Sequence, residues 1–409
     1  MNGKVFDRVN PESFFSKDIK PALQNDPPGG WMPVIPEGCI RLSSGYPDPG
    51  LVPVEELKNS VVKLLEEEKD LPLHYIGSKK ADGLKGILQN LMKERHMNIK
   101  SDELLITSGA CQAIDLIARV LIDDETVVAV ESPTYMEALE IFQNYTSRFM
   151  TIEIDENGLR TDRLEKELKE RREKGEKLPK VLYTIPTFQN PTGTTMREER
   201  REHVMKLARD YDFLVIEDDA YGEVYFNQDT RPLKSLKRGN DPRVLYIGSL
   251  SKVVAPGLRI GWVAADKEFI EALSWFKKDL DHPFSQASVS QFLYEVDWEE
   301  HYTTLRKVYR EKCSLLLSEL ENQMPESVSW YVPQGGYFVW LKVPGVDTSK
   351  LLEKAVEEGV SYVPGKYFFL DQEEGLAYLR LSFSYENGRE ISEGVKRLGR
   401  LIMAQVAGR

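Results

Sequence analysis

The sequence is poor in cysteine and histidine, with three of the first and five of the second in 409 residues. Cys39, Cys111 and Cys313 are odd in number, far apart and without metal-ligand spacing. That excludes a disulfide framework and a structural zinc module, and it fits a reducing, cytoplasmic setting. His74, His96, His203, His282 and His301 show no ligand spacing either, so no metal is expected. No apolar run reaches the length needed to span a bilayer, and residues 1–8 lack the apolar core of a secretory signal. Positive charge is in deficit: 54 Lys and Arg stand against 66 Asp and Glu, a net charge of −12. A nucleic-acid partner would need the opposite balance. Internal repeats and low-complexity linkers are absent too. What is left is an ordinary globular composition, 41% hydrophobic and 29% charged, in a chain long enough for two or three domains.

From residue 104 to about 265, short apolar runs alternate with helix-length amphipathic segments. The runs at 104–107, 127–131, 181–185, 213–218, 244–248 and 260–264 read as buried strands. This alternation predicts an α/β fold with a mainly parallel sheet covered by helices on both faces. In such sheets ligands bind beyond the carboxyl ends of the strands. After about residue 284 the pattern changes. A long helix is predicted over 298–323, strands at 328–332, 337–343 and 378–383, and helices at 348–358 and 387–407, which together read as a smaller α+β unit. The charged segment 162–177 reads as the solvated face of a helix. Pro27-Pro28-Gly29-Gly30-Trp31 and Pro47-Asp48-Pro49-Gly50 mark an irregular amino-terminal arm. The expected division is an arm at 1–45, a large domain at 46–285 and a small domain at 286–409.

Chemistry concentrates in Gly248-Ser249-Leu250-Ser251-Lys252, followed seven residues later by Arg259. A lysine just past a buried strand is desolvated, which favours its neutral, nucleophilic amine. Such an amine forms an imine with an aldehyde, while two serines and an arginine suit a phosphate. Pyridoxal 5′-phosphate is an aldehyde cofactor that uses both features. Two further motifs follow predicted strands: Thr187-Phe188-Gln189-Asn190-Pro191-Thr192-Gly193, and Glu217-Asp218-Asp219-Ala220-Tyr221.

In their order, Asn-Pro-x-Gly, Asp-x-Ala-Tyr and Ser-x-Ser-Lys-x6-Arg, these motifs resemble the fold-type I, pyridoxal-phosphate-dependent aminotransferases of class I/II. The resemblance runs from about residue 42 to about 384. It implies a large domain built on a mainly parallel seven-stranded sheet sandwiched by helices, with a smaller α+β carboxyl-terminal domain. Lys252 is then the Schiff-base residue (the internal aldimine of the resting enzyme) and the base that moves the Cα proton. An acid three residues before the motif tyrosine, Asp218, would partner the pyridine nitrogen. Glu217 and Asp219 compete for that role, and strand alternation turns them to the opposite face. Asn190 and Tyr221 resemble the pair that binds the phenolic oxygen. Ser108, Gly109, Ala110 and Cys111 or Gln112 match the phosphate loop at a helix start, completed by Ser249, Ser251 and Arg259. Tyr135 resembles the aromatic that stacks on the pyridine ring. Arg380, a charge in an apolar strand, resembles the clamp for the substrate α-carboxylate, joined by the backbone of Gly45. Tyr75 matches the tyrosine that reaches across a homodimer interface to the partner's phosphate. One departure lies nearby: Gly83-Leu84-Lys85 carries lysine where the family usually has arginine.

The expected activity is transfer of an amino group from an α-amino acid to a 2-oxo acid, with 2-oxoglutarate the default acceptor, by a ping-pong cycle. The surroundings of Gly45, Pro333-Gln334-Gly335-Gly336-Tyr337 and Val363-Pro364-Gly365-Lys366-Tyr367-Phe368 look most like the 2-aminoadipate and aromatic aminotransferase branch. A C–S lyase or decarboxylase on the same fold would share every motif. A transcription regulator with an aminotransferase-like effector domain is the remote alternative. It would carry a winged helix ahead of this region, and about 40 residues before Leu42, with an acidic net charge, do not suit one.

Overall fold

The apolar runs become strands because they are buried on both sides. Val181–Thr184 and Val244–Ser249 are buried at every position, and alternate residues feed two different cores. Val181 and Tyr183 join the core under the helix Gly109–Leu121, while Leu182 faces the core under the helices Thr161–Lys174 and Glu198–Tyr211. Ile216 and Val215 divide in the same way. Each fully buried Val, Leu or Ile contributes about 1.5–3 kcal/mol, so both faces must be covered and the helices alternate sides.

The structure is a computed structural model, and it describes residues 10–16, 19, 22–24, 34–75, 78–227, 236, 241–278 and 282–407. The predicted turn at 27–31 lies outside these residues. The strands, in chain order, are β1 (Ile40–Arg41), β2 (Leu104–Thr107), β3 (Val128–Ser132), β4 (Phe149–Asp155), β5 (Gly158–Leu159), β6 (Val181–Thr184), β7 (Leu214–Asp218), β8 (Val244–Ser249), β9 (Gly261–Ala264), β10 (Ser329–Trp330), β11 (Phe338–Lys342), β12 (Val360–Ser361), β13 (Val363–Pro364) and β14 (Tyr378–Ser382). The main sheet has the order β2–β9–β8–β7–β6–β3–β4–β5. Strands β8, β7, β6, β3 and β4 are parallel, and β9 runs against both β8 and β2.

Seven principal strands match the expected sheet, and β5 adds a two-residue eighth, antiparallel to β4. β4 was not among the apolar runs. Thr151 and Glu153 on it are exposed, so it reads as an alternating strand near the sheet edge and not as a continuous apolar one.

The carboxyl-terminal sheet is antiparallel, ordered β10–β11–β14–β13. It packs under the helices Trp298–Gln323 and Gly388–Ala407 through Leu316, Leu320, Val395 and Leu398. Asp297 caps the first of these by accepting from the Glu300 N–H. β1 pairs with β12 in parallel, and Ser382 N donates to Leu42 O. These bonds draw the segment after β1 alongside β14. Among the described residues no helix is long and apolar enough to cross a membrane.

Candidate active site

The loops beyond the carboxyl ends of β2, β3, β6, β7 and β8 meet at one edge of the main sheet. The antiparallel β9 brings its leading residue Arg259 to the same edge. Close packing fixes the junction: a Cβ on Gly261 would lie 2.6 Å from the Gly109 carbonyl carbon. Ser249 pairs with Gly261 across the sheet, so the serines of the lysine loop, the start of the helix Gly109–Leu121 and Arg259 are neighbours.

At the end of β7 three acids diverge. Asp218 shares a sheet face with Tyr183 on β6, and the Tyr183 hydroxyl donates to its Oδ2 at 2.7 Å. Its other oxygen, Oδ1, is buried and has no hydrogen-bond partner among the described residues. Burial pushes the Asp218 carboxyl up to about 6, opposed by the Tyr183 hydrogen bond and reinforced by Asp219. Glu217, on the opposite face, accepts from the Leu236 N–H at 3.1 Å. Asp219 accepts from the Arg95 guanidinium and from the Tyr246 hydroxyl at 2.8 Å.

Lys252 follows β8, and its Nζ donates to the Gly45 carbonyl at 3.0 Å. The amine lies 5.6 Å from the centre of the Tyr221 ring and 5.9 Å from that of Tyr337. Burial first, and Arg380 second, lower its pKa to about 8, so about a tenth of the amine is neutral at pH 7, far more than in an exposed lysine. The Tyr337 hydroxyl donates to the Lys252 carbonyl, which fixes the lysine backbone from the carboxyl-terminal unit. Tyr221 stands edge-on to Tyr337 and Phe338, and burial raises its phenol.

Arg380 lies on β14, paired with Trp340 and Val363, and is 5% exposed. Its Nη1 donates to Asn190 Oδ1 at 2.8 Å and its Nη2 to the Ser43 carbonyl at 3.2 Å. The guanidinium stacks 4.0 Å from the Phe338 ring centre. Both acceptors are neutral, Nε has no partner, and no carboxylate pairs with the group among the described residues. Burial accordingly brings its pKa down to about 10.

Gly109 opens its helix with φ +80°, and a Cβ there would collide with Arg259 Nη2. Arg259 Nη2 also donates to the Ser108 carbonyl at 2.8 Å. Glycine is therefore required twice over, by backbone and by contact. The Ser251 N–H donates to Ser249 Oγ at 3.1 Å, and the Ser108 N–H donates to the Gln112 side chain at 2.7 Å. Cys111 is held as a thiol: Sγ donates to Glu137 at 3.1 Å, and burial with that carboxylate pushes it up to about 12. The Tyr135 hydroxyl donates to the same carboxylate, so Cys111, bonded to both, ties the β3 loop to the helix start. Tyr75 stands apart. It is 81% exposed and lines an open cleft with Arg259, His282 and Phe284.

The structure thus brings Lys252, Gly45, Tyr221, Asn190 and Arg380 into one cluster, with Asp218 beneath it and Ser108–Gln112, Ser249, Ser251 and Arg259 at its flank. Sequence reasoning missed Tyr183, Tyr337 and Glu137. A tyrosine inside the aliphatic run Val181-Leu182-Tyr183 was the available signal for the first.

These residues fit pyridoxal phosphate. A buried carboxylate oxygen without a donor suits a protonated ring nitrogen, a depressed lysine suits an aldehyde, and a helix start beside Arg259 suits a phosphate. The sequence pattern of the family described as aminotransferase class I and II matches residues 37–398. The chain is 39% identical over 373 residues to aromatic-amino-acid aminotransferase 1 of Thermococcus litoralis, covering 90% of this chain and 88% of that protein. Its fold is similar to that of the multiple substrate aminotransferase from Thermococcus profundus, with TM-score 0.89, 36% identity and coverage of 98% and 100%. It is similar too to the alpha-aminoadipate aminotransferase of Thermus thermophilus complexed with N-(5′-phosphopyridoxyl)-L-leucine, with TM-score 0.87, 32% identity and coverage of 98% and 100%.

Proposed function

The chain belongs to the class I and II aminotransferases and is a pyridoxal-phosphate-dependent transaminase of fold type I, and from that premise we propose how its own residues carry the reaction. It moves the amino group of an α-amino acid to a 2-oxo acid, with 2-oxoglutarate the acceptor we assign, in a ping-pong exchange. When bound, the cofactor supplies an aldehyde that takes up the amino group and a ring that draws electrons from the substrate Cα.

Lys252 would hold the cofactor. Once released, its amine takes the Cα proton and returns it, a task suited to a lysine lowered to about 8 by burial. Asp218 Oδ1 would face the ring nitrogen, Tyr221 and Asn190 the phenolic oxygen, and Tyr135 the ring plane. Ser108, Gly109, Ala110, Cys111, Gln112, Ser249, Ser251 and Arg259 would form the phosphate cup. Arg380, with Gly45 and Asn190, would receive the substrate α-carboxylate. We further propose a homodimer in which the partner subunit's Tyr75 completes the cup, since Tyr75 is exposed in the single chain. The division into an arm (1–45), a large domain (46–285) and a small domain (286–409) is part of the same reading. So is a cytoplasmic setting, which three free thiols support.

The observation that carries the substrate assignment is Arg380, a buried cation beside Lys252 whose acceptors are both neutral. A carboxylate is the ligand it lacks. Relatives are named for aromatic amino acids and for aminoadipate, and we place this chain's donors in that range. The test is a donor screen against 2-oxoglutarate with aromatic amino acids and 2-aminoadipate, followed by glutamate formation. Alongside it, borohydride reduction and peptide mapping should locate the cofactor on Lys252. Label on another lysine, or release of pyruvate or carbon dioxide without glutamate, overturns the assignment.

A further inference from the structure

Behind Asp218 lies a second buried charge cluster that the roles above leave unused. Arg95, just past the helix Lys79–Lys93, and Asp219 are 5% exposed each, and the guanidinium donates to Asp219 Oδ2. The Tyr246 hydroxyl donates to the same oxygen at 2.8 Å, and the Asp219 N–H donates to Ile247 O at 3.0 Å. The turn after Asp218 is moulded on the pair. A Cβ on Gly222 would collide with Arg95 Nη1 and lie 2.5 Å from Asp219 Oδ1. A buried ion pair adds little stability over apolar packing, so its placement one residue from Asp218 calls for another reason.

We propose that Arg95 is a positioning residue for the transamination site: through Asp219 it fixes the turn from Asp218 to Gly222, and it cancels the negative charge that would otherwise stand beside Asp218. The proposal rests on the assignment of Asp218 to the cofactor's ring nitrogen. Around Asp218 the titratable groups are Tyr183 on β6, Glu131 on β3, Cys111 on the helix Gly109–Leu121, Lys252 beyond β8, and Asp219 and Tyr221 on its own segment. Around the Arg95–Asp219 pair they are Tyr246, Glu217, Glu223, Arg201 and Tyr302. Asp219 already pushes the Asp218 carboxyl upward; without its counter-cation that push grows.

The experiment reads cofactor retention by the holoenzyme, dialysed against buffers from acid to alkaline pH, as a dissociation constant with an acid-limb midpoint. Arg95→Met should raise the midpoint by about one pH unit and weaken retention about twofold at pH 7 and about tenfold at pH 5. Arg95→Lys, which keeps the charge, should leave the midpoint in place. Asp219→Asn should lower it, and the double variant Arg95→Met with Asp219→Asn should return it to the wild-type value. A mere packing role predicts equal loss in the single and double variants with no movement of the midpoint, and that result overturns the proposal. Should Arg95→Met fail to fold, Asp219→Asn decides alone, and an unmoved midpoint is again fatal. Asp218→Asn separates the two readings. If it keeps both tight retention and the acid limb, the assignment of Asp218 fails. If it loses them while the Arg95 variants change nothing, only the role of Arg95 fails.

Discussion

Replacing Tyr183 by phenylalanine removes one hydroxyl from a fully buried position, along with the 2.7 Å hydrogen bond to Asp218 Oδ2. A hydrogen bond to a charged acceptor contributes about 1.5–3 kcal/mol, equivalent to roughly one to two pH units at about 1.4 kcal/mol per unit. The Asp218 carboxyl would move from about 6 to roughly 7–8. At pH 7 its ionised fraction then falls from about nine-tenths to half or less. Affinity of the cofactor-free protein for the cofactor at pH 7 should drop about two- to tenfold and recover by pH 9, where the carboxylate is ionised again.

The cofactor-free protein gives an independent reading. The folded pKa of Asp218 lies above its unfolded value, so the stability it contributes is fully present below about pH 4 and is lost as pH rises through about 6. The difference is about 3 kcal/mol, and Tyr183→Phe should carry the loss on to roughly pH 7–8. Denaturant melts across that range, beside profiles of cofactor affinity against pH, provide the assay. A Tyr183→Phe enzyme whose defect persists unchanged at pH 9, or whose melts show no displaced window, would refute the claim that the phenol stabilises the ionised acid.

Arg380→Gln should raise KM for amino donor and 2-oxo acid alike by on the order of 100-fold, the loss expected of a charge-assisted clamp; steady-state kinetics with both substrates check it, and an effect on one substrate alone would contradict a shared carboxylate site. Gly109→Ala forces a Cβ against Arg259 at φ +80° and should destabilise the fold by about 1–3 kcal/mol while weakening cofactor retention, both measurable by denaturation and dialysis. Mixing Tyr75→Ala with Lys252→Ala subunits should regenerate about a quarter of wild-type activity, because half of randomly exchanged dimers are mixed and each carries one intact site; no recovery after demonstrated subunit exchange would remove Tyr75 from the partner's phosphate cup.

How far the sequence could be read follows from how local each signal is. The helix Trp298–Gln323 was legible because its apolar spacing lies within its own residues, and the structure adds the Asp297 cap just ahead of them. β4 was not, because an alternating strand near the edge looks like any solvated segment until its neighbour β3 is known. The site divides along the same line. Strand alternation set Asp218 on one face and Glu217 and Asp219 on the other, but only the resemblance to the family pattern chose between the faces; the structure turns those two acids to Leu236 and to Arg95. Tyr183 required knowing that β6 lies beside β7, with Tyr183 opposite Ile216.

The contacts that complete the site join residues far apart in the chain: Gly45 to Lys252 across 207 positions, Asn190 to Arg380 across 190, Arg95 to Asp219 across 124. No periodicity encodes such pairs. They depend on β1 pairing with β12 and on the Ser382–Leu42 bond, which together carry Gly45 and Arg380 to the edge of a sheet that neither belongs to. Asp218 and the residues of the proposed phosphate cup need the main sheet to be in register, whereas the proposed substrate clamp also needs the carboxyl-terminal unit to be docked. A variant that loosens that docking, such as Ser384→Ala, which removes the hydroxyl that donates to the Tyr46 carbonyl at 2.6 Å, should therefore raise KM for amino acids before it weakens the hold on the cofactor.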